Sequence, residues 1–365
     1  MKRLELLDYG RFMAAIAVLI YHYFFDGISN GKISSIDHIP GFVEFAKYGY
    51  LGVEFFFMIS GYVIFFSARN RTPREFAIAR AVRLYPAFWF AVIFTTVFAQ
   101  FWGGTEMSVT IQQALANLTM IPESLGYGYV DGVYWTLNLE LRFYLGVFFC
   151  LIIGWQSKLD FIFLLWPWVM LLALFLGQQH IPYLGDYYSY FAAGSIFAIL
   201  KDRPSKVGIA SLLISFYLCM NFSTKNAFVA PNSQEVGSFN WVVTVVILVH
   251  FLVFCFLNSK TGSSLTLPGS KLAGSLTYPL YLIHSHFSYM IISQFSTNEN
   301  KLFIYVVTFV LVLLVSYFIH VFVEKKLAKL SYRIFSYTVG TLVDILNHIL
   351  TSARTVYNHS IKKIP

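Results

Sequence analysis

The sequence predicts an all-α integral membrane protein of about ten transmembrane helices, with both termini cytoplasmic and a C-terminal amphipathic helix. Three observations predict it. The chain of 365 residues is 57% hydrophobic and 12% charged, with 38 Phe and 24 Tyr, where a soluble domain averages about 25% charged residues. Apolar runs long enough to cross a bilayer recur along the whole length. The charge of the connections alternates as the positive-inside rule requires.

The first run, 11–28, follows MKRLELLDYG. A basic start before an apolar run suggests a signal peptide. Glu5, Asp8 and Arg11 interrupt that pattern and no small-residue cleavage site follows Phe25, so the run reads as a retained span. Runs 49–68 and 84–102 flank an inner loop, RNRTPREFAIARAVR (69–83), carrying Arg69, Arg71, Arg74, Arg80 and Arg83. An outer loop, 103–134, holds Glu106, Glu123 and Asp131. Runs 135–154 and 159–177 follow, then two shorter ones, 186–200 and 207–222, and finally 240–258, 273–293 and 302–323. From Ser331, the residues Phe335, Val339, Leu342, Val343, Leu346, Ile349 and Leu350 recur near the helical period, which predicts a helix lying on the inner surface. The chain thus divides into a transmembrane domain, 1–330, and a cytoplasmic tail, 331–365. An eleventh span in the tail would put Arg354, Lys362 and Lys363 outside.

Of the 26 Lys and Arg, Lys32, Lys47, Lys225 and Lys301 fall outside, Arg11 and Arg142 fall within spans, and the other 20 fall inside. The net charge of +8 is therefore topological and gives no reason to expect nucleic-acid binding. Cys150, Cys219 and Cys255 lie in apolar runs without metal-ligand spacing, so neither a disulfide framework nor a metal site is expected. No internal repeat of the kind found in transporters is visible.

Ionisable residues inside a bilayer are costly and point to function. Arg11 and His22 are eleven residues apart, three helical turns plus about 20°, and so share one face. At 1.5 Å per residue, His22 lies about 18 Å above the inner end of its span, Glu140 about 21 Å, Arg142 about 18 Å, Glu54 about 22 Å and His284 about 16 Å. Five ionisable groups from four spans fall in one slab, which predicts a shared hydrated cavity. Plainer roles stand beside this one. His250 and His320 fit as packing histidines, and Arg142 fits a structural ion pair as well as catalysis. Glu54 fits pinning of the second span, and the arginine loop fits a topological anchor. Asp8, one turn before Arg11, fits pairing with it.

Five motifs in series carry a family resemblance: RLELLDYGRFMAAIAVLIYH, GVEFFFMISGYVIF (52–65), RAVRLYPAFW (80–89), YWTLNLELRFYL (134–145) and SLTYPLYLIHSHF (275–287). Together they resemble the acyltransferase-3 family of integral-membrane acyltransferases, in the single-domain type similar to bacterial O-antigen and exopolysaccharide O-acetyltransferases. Thr136 stands where that pattern has Ser, Pro279 interrupts the late motif, and His286 follows His284. The resemblance implies transfer of an acetyl or other acyl group from acetyl-CoA to a hydroxyl of an envelope glycan or lipid-linked saccharide, at the bacterial inner membrane. Acetyl-CoA is then a substrate, and no permanently bound cofactor is implied. It also implies His22 as the catalytic histidine, Arg11 as its motif partner, Arg80 and Arg83 at the donor end, and Glu140 near the chemistry, with Trp135 accessory.

The chemistry suits the layout. Guanidinium forks bind phosphate in bidentate fashion, so Arg74, Arg80 and Arg83 suit the donor's phosphates at the inner face. His22 is the natural base for a sugar hydroxyl, and direct attack by His22 on the thioester is the two-step variant. Glu140, or else Glu54, would support its other ring nitrogen. Arg142, Tyr281 and His284 are the oxyanion-donor candidates. The Arg11–His22 stripe then reads as one wall of a channel, with phosphates near Arg11 and the thioester near His22. The rival class is a non-enzymatic transporter or flippase of lipid-linked saccharides.

Overall fold

A computed structural model describes residues 4–226 and 240–361, with side chains through Ser352. Every regular element among the described residues is a helix. The principal ones are α1 (Glu5–Tyr21), α2 (Gly52–Arg69), α3 (Pro73–Trp102), α4 (Ile111–Asn117), α5 (Tyr134–Ile152), α6 (Leu159–Phe175) and α7 (Tyr188–Asp202). They continue with α8 (Lys206–Lys225), α9 (Trp241–Asn258), α10 (Ser270–Ile283), α11 (His286–Phe295), α12 (Lys301–Phe318), α13 (Ala328–Tyr337) and α14 (Val339–Ile361).

Among the described residues, eight helical segments are long and apolar enough to cross a membrane. Two of the expected ten differ, each for a local reason. The run at 186–200 becomes α7, whose 15 residues rise about 22 Å, short of a core of about 30 Å. It is buried at every position from Tyr188 to Ile199. Its contact with α2 is backbone on backbone: a Cβ at Gly194 would stand 1.9 Å from the Met58 carbonyl oxygen, and one at Gly61 would stand 2.1 Å from that of Phe191. Ser195 Oγ donates to the Gly61 carbonyl across the same crossing, at 3.1 Å.

The run at 273–293 breaks into α10 and α11 at Ser285, whose φ of −89° and ψ of −87° leave the helical region. The buried Asp131 carboxylate accepts the His286 N–H at 3.0 Å, capping the new N-terminus with a negative charge. Sequence periodicity runs straight through such a break because the apolar residues do not stop.

The stretch 69–83 is also not a loop. Thr72 and Glu75 form a reciprocal cap and Pro73 takes the first helical position, so α3 begins there and fixes Arg74, Arg80 and Arg83 on one helix. In the outer segment, α4 is followed by Tyr129, which donates to Glu123 at 3.0 Å and accepts from Asn138 at 2.9 Å. Burial pushes the Tyr129 phenol up to about 12, so it keeps its proton as that donor.

The expected surface helix is two helices, α13 and α14. Phe335 packs with Ile78 and Ala81 of α3, while Leu342, Ile345, Leu346 and Ile349 remain exposed as an apolar stripe suited to a bilayer surface. The side chain of Arg354, and Lys362 and Lys363, lie outside the described residues.

Candidate active site

A cavity of about 720 Å³ opens between α1, α2, α3, α5, α10, α13 and the segment after α12. Its basic end carries Arg71, Arg80, Arg83, Lys325 and Tyr332, its middle carries Arg11, Ser60, Glu140, Tyr144 and Tyr278, and its far end carries Thr136 and Tyr281. Five cations thus share it with two carboxylates, Glu140 and Glu324.

Each cation is held differently. Arg80 lies over the Tyr144 ring at 5.7 Å, and its buried Nε has no hydrogen-bond partner among the described residues. Arg83 Nη1 meets Glu324 Oε1 at 2.8 Å, and Glu324 Oε2 meets His320 Nδ1 at 2.9 Å. Arg71 donates to the Ser67 hydroxyl one turn back. Arg11 lies within range of the charges of Arg83, Asp8 and Glu140, and Asp8 sits so close to Gly274 that a Cβ there would be 2.5 Å from its Oδ1. Glu140 Oε1 accepts from Tyr144 at 2.6 Å and from Ser60 at 2.7 Å.

The far end closes on a polar pair. The Thr136 hydroxyl donates to the Val133 carbonyl at 2.8 Å, so the Tyr281 hydroxyl is the donor in its 2.8 Å bond to Thr136. Behind Tyr281, at 5.3 Å between ring centroids, stands His284. The His284 ring is in turn 5.0 Å from that of His22. His284 is fully buried. Its Nδ1–H is spent on the Tyr281 carbonyl at 2.8 Å, which leaves Nε2 a bare acceptor with no partner among the described residues.

His22 sits in a widened turn, His22–Asp26, that continues α1. Tyr305 donates to the Tyr23 carbonyl at 3.1 Å within this turn. His22 Nδ1 lies 3.1 Å from Asp26 Oδ2 and 2.6 Å from the Tyr289 hydroxyl, which itself donates to Asp26 Oδ2 at 2.8 Å. Tyr21 and Asn30 also donate to Asp26, at 3.2 and 3.1 Å. An aspartate that collects these donors holds the imidazole with Nδ1 protonated and Nε2 free. Next to this group, Lys32 Nζ donates to His286 Nε2 at 2.6 Å.

Several expectations change. The carboxylate on His22 is Asp26. Glu140 is committed to Ser60 and Tyr144, and Glu54 is buried with Oε2 lacking a partner among the described residues. Of the five groups at matched depth, only Glu140 lines the cavity. Equal depth does not fix azimuth, and Arg142 turns toward Tyr183 and Tyr188 while Trp135 packs on Tyr187 at 5.0 Å. Arg74 does not line the cavity. Its Nε meets Asp344 at 3.1 Å and its Nη2 donates to the Ser336 carbonyl at 3.1 Å, so it straps the tail to α3. His320, read as a packing residue, lines the cavity instead. Asp26 and Glu324 were findable as carboxylates four residues after a histidine on one helix, a spacing that brings the two side chains together.

The chain has relatives among known proteins. It is 34% identical over 102 residues to the exopolysaccharide production protein ExoZ of Rhizobium meliloti (strain 1021), an alignment covering 26% of this chain and 32% of that protein. It is 24% identical over 267 residues to nodulation protein 10 of Rhizobium leguminosarum bv. viciae, covering 64% of this chain and 70% of that protein. The chain therefore spans about a third of the length of the first relative. No solved structure matches it. The profile of the acyltransferase domain, of the acyltransferase-3 type, matches residues 4–321, nearly the whole length over which the cavity and the His22 cluster are built. The chain belongs to this acyltransferase family.

Proposed function

We propose that the protein is a membrane-bound O-acetyltransferase that moves an acetyl group from cytosolic acetyl-CoA to a hydroxyl of an exopolysaccharide or its lipid-linked precursor. The observation that carries this reading is a single cavity, lined by arginines at one end, whose other end lies one aromatic layer from an aspartate-supported histidine. The acceptor class follows the name of the first relative, an exopolysaccharide production protein.

In this reading Arg71, Arg80, Arg83 and Lys325 hold the donor's phosphates, and the pantetheine arm runs past Arg11 and Glu140. Glu140 fixes Tyr144 beneath Arg80 and so shapes the path of the arm. His22 Nε2 takes the acceptor's hydroxyl proton as the oxygen attacks the thioester carbonyl. Asp26 stabilises the imidazolium. The Tyr281 hydroxyl, released from Thr136, donates to the developing oxyanion. It suits that task better than His284, whose free nitrogen is an acceptor, or Arg142, which faces elsewhere. Collapse expels the CoA thiolate, which takes the proton from His22. In this reading the chain makes ten crossings of the bacterial inner membrane, counting the short α7 and the broken α10–α11 pair with the eight long helices, with both termini and the basic end cytosolic.

Membranes carrying the protein, incubated with acetyl-labelled acetyl-CoA, should transfer label to envelope glycan, and His22→Ala should stop this with the protein still inserted. Glycan crossing the membrane without label would instead make it a transporter.

A further inference from the structure

The mouth of the cavity carries one feature that phosphate recognition does not use. Helix α13 forms one side of the opening. Its Ala328, Ser331, Tyr332 and Phe335 fall at i, i+3, i+4 and i+7 and so share a face. Phe335 is buried against α3 and fixes the helix, and Arg74 straps the following turn through Ser336 and Asp344. Ala328, Ser331 and Tyr332 line the cavity. The first two are small and leave room. Tyr332 occupies that side with a large aromatic side chain, and the residue is 57% exposed. Arg71, Arg80, Arg83 and Lys325 line the same cavity.

An exposed aromatic in the same cavity wall as a cluster of cations suited to phosphate matches a nucleotide, which joins a stacking base to phosphates. We propose that Tyr332 stacks the adenine of the acyl donor's nucleotide, making α13 a donor-specificity element; this rests on acetyl-CoA being the donor. The tail thereby recognises the part of the donor furthest from the thioester.

The test compares two donors, acetyl-CoA and S-acetyl-4′-phosphopantetheine, which lacks the nucleotide. The wild type should use acetyl-CoA with the higher kcat/KM. Tyr332→Ala should cut that preference about tenfold, the scale of one lost base–aromatic stack, and Tyr332→Phe should keep it. Tyr332→Leu, which retains apolar bulk without a ring, should behave as the alanine variant and covers the case in which alanine loosens α13. A preference unchanged in the alanine and leucine variants would overturn the proposal. A wild type that uses both donors equally would overturn it while leaving the donor reading intact. A wild type that uses neither would overturn the donor reading itself.

Discussion

Asp26 decides what His22 can do. It is the carboxylate against Nδ1, and it is held in place by Tyr21, Asn30 and Tyr289. Asp26→Asn should leave the fold intact, because an amide keeps the shape, but it can present an N–H to Nδ1 and turn the imidazole to the wrong tautomer. The analogous change in a serine protease costs about 10⁴ in kcat, and here a loss of at least about 100-fold in labelled acetyl transfer is expected. Near-normal rates at equal protein abundance would reduce Asp26 to a packing role. Tyr289→Phe removes one hydrogen bond and keeps the ring, so it should cost about tenfold by the same assay. The spacing to Arg11 is what singles out His22 in the sequence. Its partner was not legible there, because depth along a helix normal picked out Glu140 and Glu54 and said nothing about which way each side chain turns. The local i, i+4 relation between His22 and Asp26 held the answer.

Two helices depart from the span pattern, and both pack around the candidate site. The buried α7 packs Phe191 on Phe57 of α2, and the break before α11 falls between His284, whose ring is 5.0 Å from that of His22, and Tyr289, whose hydroxyl is 2.6 Å from His22 Nδ1. Apolar periodicity recovers the position of such elements but not their length or their breaks, because burial in protein and burial in lipid select the same residues. What separates them is steric. Gly194→Ala would set a methyl 1.9 Å from the Met58 carbonyl and force α2 and α7 apart. Overpacking of this kind costs about 1–3 kcal/mol or more, so the detergent-solubilised variant should melt several degrees lower. Gly128→Ala is the control, since its nearest neighbour would be 3.8 Å away, and it should melt within a degree or so of the wild type. Equal melting of the two variants would mean that the α2–α7 crossing is looser than its geometry.

Across the whole molecule, the arginines divide into three jobs that composition alone cannot separate. Any Lys or Arg on one side of the membrane satisfies the topological bias. Arg69 is spent on Asp202 at 3.2 Å, Arg74 on the tail, and among the described arginines only Arg11, Arg71, Arg80 and Arg83 reach the cavity. Within that last group the charge is unevenly free. Arg83 is neutralised by Glu324 at 2.8 Å, whereas Arg80 rests on an aromatic face with a bare Nε. A donor phosphate approaching Arg83 competes with a carboxylate already in place, while at Arg80 it meets no rival. The two sites should therefore respond with opposite signs. Arg80→Ala should weaken acetyl-CoA binding by about tenfold or more, the worth of one lost charge-assisted contact. Glu324→Gln keeps the shape of the bridge to His320 but removes the competing charge, and should tighten binding a few-fold. The effect is small because Arg83 is 42% exposed and its ion pair is weakened by solvent. Thermal stabilisation by acetyl-CoA, titrated for both variants and the wild type, reads both shifts on one scale. If Glu324→Gln weakens binding as Arg80→Ala does, the carboxylate orients Arg83 for the phosphate instead of competing with it.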